Sequence, residues 1–303
     1  MTTDWTGDVN RVAHAVRRRV LDHTLKNNGG YLSQACSAAE ILATLYLNVM
    51  NLGPSEGPKT PRPFAGVPGP DNPESFTGAE YNGPKAPDLD RFIFSPVHYA
   101  LVLYSVLIEV ERLGPDALEQ FNRDGSTMEL IGAEHSPGHE VTAGSLGQAI
   151  SQAGGIALAR KLRGDTGRVW IFMSDGEFQE GQTWEAFAAL SYHGIDNLGA
   201  VVDVNAQQCD GLMTSVMNIE PLMSRLEAFG VNVHEVDGHD PQALAKAAQS
   251  HQKGKPLVIL AKTDPCRDMD LLRQRAPKLH YVRFKSDEER QSYERVLAEM
   301  NAS

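Results

Sequence analysis

Ser174-Asp175-Gly176-Glu177 stands ahead of Val202-Asp203-Val204-Asn205-Ala206-Gln207, with thirty positions from Asp175 to Asn205, and these two stretches decide the fold. Each follows an apolar run: Val169-Trp170-Ile171-Phe172-Met173 in the first case, Ala200-Val201-Val202 in the second. Glu180 to His193, between them, has helical character. The order is therefore strand, turn, helix, strand, turn. In a parallel sheet both turns lie at the carboxyl ends of the strands, where open α/β folds take up ligands. One carboxylate, Asp175, and one amide oxygen, Asn205, would converge on a single spot. Hard oxygen donors suit Mg²⁺, which keeps water and phosphate oxygens in its remaining octahedral positions. Two ordinary turns are the plain alternative, since Asp-Gly is a common turn dipeptide. The combination with Glu180-Gly181 and Asp210-Gly211 is more specific than that.

Outward from this centre the chain alternates. Val9 to Lys26 places Val12, Val16, Val20 and Leu21 on one helical face, and Ala38 to Met50 does the same with Ile41, Leu42, Leu45 and Tyr46. Arg91–Phe94 reads as a short strand ending at Ser95, Tyr99 to Leu113 as a helix, and 114–144 as irregular chain. Ser145 to Leu162 is a helix rich in Ala and Gly, suited to close packing. Strands are predicted at 168–173, 199–204, 231–236 and 257–261, with helices at 219–229 and 241–252. A charged helix, Ser286 to Met300, closes the chain, with Ser286 as cap and Glu289 three positions on. This pattern predicts an α/β fold, a parallel sheet covered by helices on both faces, in one domain over residues 1–303. Residues 51–90 break it with nine of the 17 prolines and no apolar period. They are too long for a plain connector and read as a Pro-rich insertion or arm, ordered mainly by contact with another subunit.

Composition narrows the function. A net charge of -11 argues against a nucleic-acid surface, which needs a basic face. Cys36, Cys209 and Cys266 are widely separated and no CxxC occurs, so neither a zinc knuckle nor a disulfide framework is expected. Reduced thiols in the cytoplasm are the natural reading. The N-terminus lacks an apolar signal core, and no apolar run reaches the length of a membrane span. Neither G-x-G-x-x-G nor G-x-x-x-x-G-K-[ST] is present, which removes support for a Rossmann or P-loop nucleotide site.

Several pieces, in order, carry a family resemblance: Arg91-Phe92-Ile93-Phe94-Ser95-Pro96-Val97-His98; Ser136-Pro137-Gly138-His139-Glu140 running to Gly144-Ser145-Leu146-Gly147-Gln148; the Asp175 and Asn205 stretches; Arg225-Leu226-Glu227-Ala228-Phe229-Gly230 leading to Val236-Asp237-Gly238-His239-Asp240; and Lys262-Thr263. The chain resembles the diphosphate-binding half of the transketolase family, whose thiamine-diphosphate fingerprint is Gly-Asp-Gly followed by Asn. Ser174 replaces the first Gly, a position that supports the turn. The resemblance implies thiamine diphosphate and Mg²⁺ as cofactors. Asp175 and Asn205 would ligate the metal through side-chain oxygens and Gln207 through its backbone carbonyl. His98 would contact the diphosphate at the start of a helix, where backbone N–H groups also favour anions. Gly144 and Leu146 would present backbone groups to the aminopyrimidine, glycine allowing close approach. Gly176, Glu177 and Asn205 complete the implied cofactor-binding set, and Glu180 is placed in a network at the subunit interface.

The same resemblance breaks at the substrate end. Tyr31, in Gly29-Gly30-Tyr31-Leu32-Ser33, stands where the family has a histidine. With an ordinary pKa of about 10, a tyrosine is a poor acid–base catalyst near neutrality but a good hydrogen-bond donor. A Gly-His-Pro upstream of the Pro-Gly-x-Glu turn is absent, leaving His135 and His139 either as replacements or as loop histidines. Asp264-Pro265-Cys266-Arg267-Asp268 replaces a Gly-rich loop, and His280 is the candidate for a later loop histidine. Tyr31 and His280 are therefore the expected catalytic positions; His239 is expected to be structural. The implied activity is ketol transfer from a ketose to an aldehyde by a two-component enzyme, an α₂β₂ assembly in which the chain is partnered by a separate pyrimidine-binding subunit. Only forty residues follow Thr263, too few for another α/β domain. The alternative is the matching subunit of a 2-oxoacid-decarboxylating or acyloin-forming enzyme.

Overall fold

A computed structural model of the protein describes residues 4–67 and 69–302. Met1–Thr3, part of the N-terminal reading, and Pro68 of the Pro-rich stretch lie outside the described residues. The chain opens with α1 (Trp5–Asn27) and α2 (Leu32–Thr44), the latter prolonged by a π turn, Leu45–Val49. β1 (Arg91–Phe94) and α3 (Ala100–Glu109) follow the Pro-rich stretch. Next come α4 (Ala149–Arg163), β2 (Val169–Ser174), α5 (Gly181–Tyr192) and β3 (Leu198–Val204). A small hairpin of β4 (Gln207–Gln208) and β5 (Gly211–Leu212) leads into the single turn α6 (Met213–Val216). The chain ends through α7 (Leu222–Ala228), β6 (Asn232–Asp237), α8 (Pro241–Ala248), β7 (Leu257–Lys262) and α9 (Asp287–Ala302).

Among the described residues the main sheet holds five parallel strands in the order β1-β2-β3-β7-β6. Its inner strands are apolar along most of their length because both faces are covered, and polar residues, Ser174, Asp203 and Lys262, come only at their carboxyl ends. Trp170 and Phe172 of β2 point into a core shared with α1, α2, α3 and α8, while Val169, Ile171 and Met173 point into a second core with α4, α5 and α7. Val9, Val12, Val16 and Val20 form the buried stripe of α1, as their spacing predicts. Asp240 caps α8 through Gln242 N at 2.9 Å, with Pro241 at the first helical position, where no N–H is needed. Ser286 caps α9 by accepting from Glu289 N at 3.2 Å. The predicted α/β architecture is the observed one.

The Pro-rich stretch makes contacts within its own chain that its sequence does not announce. Arg112, behind α3, donates to the carbonyls of Gly53 (3.0 Å) and Tyr81 (2.8 Å). Tyr81 OH donates to Pro58 O at 2.9 Å, and Asn82 Nδ2 to Glu140 Oε1 at 3.1 Å. Asp90 closes the stretch, accepting from Arg168 N (2.7 Å) and Trp170 Nε1 (3.1 Å). Single polar anchors from distant elements do this work, and an apolar period cannot reveal them.

Candidate active site

Register puts the chemistry at one end of the sheet. Ser174 pairs with Asp203 and Val204 with Lys262, so the turns after β2, β3 and β7 leave side by side. Asp175 opens a short 3₁₀ turn, Asp175–Gln179, whose cap is Ser174. Its carboxylate is buried, and Oδ2 accepts from Ala206 N at 2.8 Å, so the Asp175 and Asn205 turns are in direct contact. Ala206 holds a positive φ of 58°, a left-handed kink that reverses the chain between Asn205 and β4. Asn205 Nδ2 donates to Tyr99 OH at 3.0 Å and Asp203 Oδ2 at 3.1 Å, while Oδ1 accepts from Gln207 N at 2.9 Å. Burial, with Asp203 nearby, drives the Asp175 carboxyl well above the usual carboxylate range. A cation there would offset both effects.

The donor set fits a divalent cation. It offers one carboxylate, one amide oxygen whose –NH₂ is engaged elsewhere, and the half-buried backbone at Gln207. Among the described residues no cluster of three or more His, Cys, Asp or Glu side chains could hold a metal, so phosphate and water oxygens would have to fill the other positions.

Glu177 lies deeper than a cofactor contact. It has no exposed surface; Oε2 accepts from Ser174 N at 2.8 Å, and Oε1 from Gly147 N at 3.3 Å and from the Ser95 hydroxyl. It therefore ties the ends of β1 and β2 to the loop before α4. That loop contains Gly144, at φ +124°, and Leu146, both half-buried. Gly176 is half-buried with open space beside its Cα. Glu180 is exposed at the start of α5.

Tyr31, His98 and His280 come together from three distant parts of the sequence. Ring centroids are 5.9 Å apart for Tyr31–His98, 5.4 Å for Tyr31–His280 and 4.8 Å for His98–His280. A single antiparallel bridge makes this possible: Gly30 N donates to Val282 O at 3.0 Å and Val282 N to Gly30 O at 2.9 Å. Gly29 packs closely under the Tyr281 ring, and a Cβ there would push the Tyr281 hydroxyl aside. Burial, then the proximity of His280, lowers the His98 pKa to about 3, so its imidazole is neutral near pH 7. Burial lowers His280 as well and raises Tyr31. Gln34 reaches His280 Nδ1 at 3.2 Å. With its amide turned so that oxygen faces Nδ1, nitrogen reaches the carbonyls of Tyr31 (3.1 Å) and His280 (3.3 Å). That assignment makes His280 the Nδ1–H tautomer and leaves Nε2 as an acceptor.

Other histidines stay apart from this group. His139 is fully buried, its Nδ1 on Pro137 O at 3.2 Å, and His135 pairs with Glu129 at 3.1 Å. His239 is structural: Nδ1 meets Glu40 Oε2 at 3.1 Å and Nε2 accepts from Asp264 N at 2.8 Å. Sequence reasoning missed Gln34, Ser37 and Glu40. Their spacing of three puts them on one face of α2, touching His280, Asp203 and His239 respectively. A polar stripe on an otherwise apolar helix was the available signal. Asp203, Tyr99 and Thr263 were missed too.

Residues 75–266 match the family described as transketolase, thiamine diphosphate binding domain. An uncharacterised transketolase family protein of Sinorhizobium fredii is 34% identical over 280 residues, covering 91% of this chain and 90% of that protein. The chain belongs to the transketolase family. One subunit of an apulose-4-phosphate transketolase from Actinobacillus succinogenes is 29% identical over 289 residues, covering 93% of each chain. Human transketolase-like protein 2 is 34% identical over 254 residues, 83% of this chain but only 36% of its own length. The fold matches that of Campylobacter jejuni transketolase with a TM-score of 0.68 at 21% identity, covering 98% of this chain and 47% of that one. This transketolase-family chain therefore spans nearly all of some relatives and well under half of others, and it carries the family's thiamine-diphosphate-binding domain. Among the described residues no helix is long and apolar enough to cross a membrane.

Proposed function

We propose that this chain is the diphosphate-binding subunit of a two-component, Mg²⁺-dependent enzyme that moves a ketol unit from a ketose to an aldehyde. The carrying observation is the convergence of Asp175 and Asn205 at one sheet end, with Asn205 Nδ2 held by Tyr99 and Asp203 and its oxygen on the side of the Asp175 turn. Asp175, the Asn205 amide oxygen and the Gln207 carbonyl would hold Mg²⁺, which would in turn hold the diphosphate. Thiamine diphosphate, when bound, supplies a carbanionic carbon that attacks a carbonyl and stabilises the resulting negative charge. His98 donates a hydrogen bond toward phosphate oxygen as a neutral imidazole, joined by the backbone donors that open α3. Gly144 and Leu146 present backbone to the aminopyrimidine. His280, with Nε2 free as acceptor, takes a proton from a donor hydroxyl, and Tyr31 OH orients that hydroxyl. The Actinobacillus relative, which matches this chain nearly end to end, is named as one subunit of its enzyme; this supports a separate pyrimidine-binding partner and an α₂β₂ assembly.

The test combines the chain with a co-encoded pyrimidine-binding subunit, thiamine diphosphate and Mg²⁺, and supplies either ketose plus aldehyde or pyruvate. Ketose consumption matched by release of the shortened aldehyde and by a new ketose built from the acceptor plus the ketol unit is the expected result. Pyruvate consumption without ketose turnover would replace the reading with 2-oxoacid or acyloin chemistry.

A further inference from the structure

Asp203 has no exposed surface and four donors, yet it is not itself a cation ligand in the reading above. Its Oδ2 accepts from Ser37 Oγ at 2.5 Å, Tyr99 OH at 2.8 Å and Asn205 Nδ2 at 3.1 Å; Oδ1 accepts from Thr263 Oγ1 at 2.5 Å. The three hydroxyls come from α2, from the turn before α3 and from the residue after β7, so three elements converge on one carboxylate. All four donors find an Asp203 carboxylate oxygen as acceptor in this one arrangement. The Asn205 –NH₂ then finds acceptors on one side only: Asp203 Oδ2, Tyr99 OH at 3.0 Å and Ser37 Oγ at 3.4 Å. Rotating the amide by half a turn would set its oxygen against the Asp203 carboxylate, with no donor between two buried acceptors. Oδ1 is left on the opposite side, where Gln207 N reaches it at 2.9 Å and the Asp175 turn lies next door.

We infer that Asp203 is a positioning residue that holds the Asn205 amide oxygen toward the cation site. It acts through Asn205 and does not touch the cation or the substrate. The inference rests on the assignment of Asp175 and Asn205 as cation ligands. Removing a group that orients a metal ligand costs about 10- to 100-fold in metal affinity. Asp203→Leu is therefore expected to raise the half-saturating Mg²⁺ concentration for thiamine-diphosphate binding by that factor. Asp203→Asn should stay near the parent value: its amide oxygen can take the Oδ2 place, and the Thr263 hydroxyl can reverse to accept from its –NH₂.

The experiment uses the full chain in its assembled enzyme. Thiamine diphosphate is held fixed, Mg²⁺ is titrated by calorimetry, and thermal melting is recorded without cofactor. A second pair keeps the test decisive where Asp203→Leu does not fold. Asn205→Asp alone sets two carboxylates face to face and should raise the half-saturating Mg²⁺ concentration at least about tenfold; Asp203→Asn added to it restores a donor–acceptor pair and should reverse most of that rise. A lowered melting point for Asp203→Leu with an unchanged Mg²⁺ requirement, or an Asn205→Asp defect that Asp203→Asn does not relieve, would overturn the inference alone. Cofactor binding that needs no Mg²⁺ in the parent enzyme would overturn the cation reading itself.

Discussion

Burial and the neighbouring Asp203 both work against a charge on Asp175, and a cation bound there would offset them. Asp175→Asn should abolish Mg²⁺-dependent binding of thiamine diphosphate in the assembled enzyme while the fold survives, because an amide is a weak ligand for a hard cation. Calorimetry showing unchanged cofactor affinity would remove the assignment. Tyr31 belongs at the same scale. Its ring forms a triangle with those of His98 and His280, so a phenol stands beside two imidazoles where a third imidazole would otherwise be. Tyr31→Phe should lower turnover of the true donor about tenfold, and Tyr31→His should raise turnover of common ketose phosphates; steady-state kinetics insensitive to both changes would make Tyr31 a packing residue. His139 makes a pH prediction. Burial lowers its pKa to about 4 from the ordinary 6.5. The unfolded chain therefore takes up a proton between those values that the folded chain refuses, and stability falls as pH drops from 6.5 toward 4. His139→Met removes that proton uptake, so the drop in melting temperature from pH 7 to pH 5 should be smaller in the variant than in the parent. At this scale the sequence singled out residues that the fold then brings together, the Asp175 turn with the Asn205 turn and Tyr31 with His280. It was silent on Asp203 and Ser37, because an Asp ending a strand and a Ser inside a helix look ordinary until the fold joins them across 166 positions.

Elements were legible wherever burial imposed a period. The strands were found because both faces of the sheet are covered, and α1 because its valines repeat every turn. Elements without a period were lost. The β4–β5 hairpin is two residues a side, and the bridge from Gly30 to Val282 is a single pair. The Pro-rich stretch is the instructive case, since its order comes from Arg112, Tyr81, Asn82 and Asp90 and not from a face of its own. Limited proteolysis of the isolated chain should therefore spare 51–60 and 76–90 and cut within 64–75, where Phe64 and Val67 are exposed. Arg112→Ala should open 51–60 to cleavage by removing two carbonyl anchors at once. Rapid cutting throughout 51–90 in the parent chain would restore the picture of an arm that needs another subunit.

At the scale of the whole molecule the site is one-sided. Everything that would hold a diphosphate and a cation lies at the carboxyl end of one sheet, while Gly144 and Leu146 in the loop before α4 are half-buried. Two large apolar side chains lie uncovered near that end: Ile131, 66% exposed, beside Gly144, and Met217, 55% exposed, after the hairpin that follows Asn205. Were they joined into one patch by a second subunit, they would form an interaction face beside the polar site. Gly154, Gly155, Leu158, Ala186 and Leu190 line a shallow groove between α4 and α5, with Tyr192 86% exposed on α5, a second surface suited to assembly. A cofactor held on this half alone would leave its reactive ring in water, where the charges that develop during reaction are screened and preorganised dipoles lose most of their advantage. The purified chain should therefore bind cofactor weakly and turn over no ketose. Adding a pyrimidine-binding subunit should restore ketol transfer together with a stable heteromeric complex, measured by coupled ketose consumption and by mass on a sizing column. Full turnover by the chain alone, at a rate unchanged by any such subunit, would mean that this surface completes the site by itself and that the two-component reading is wrong.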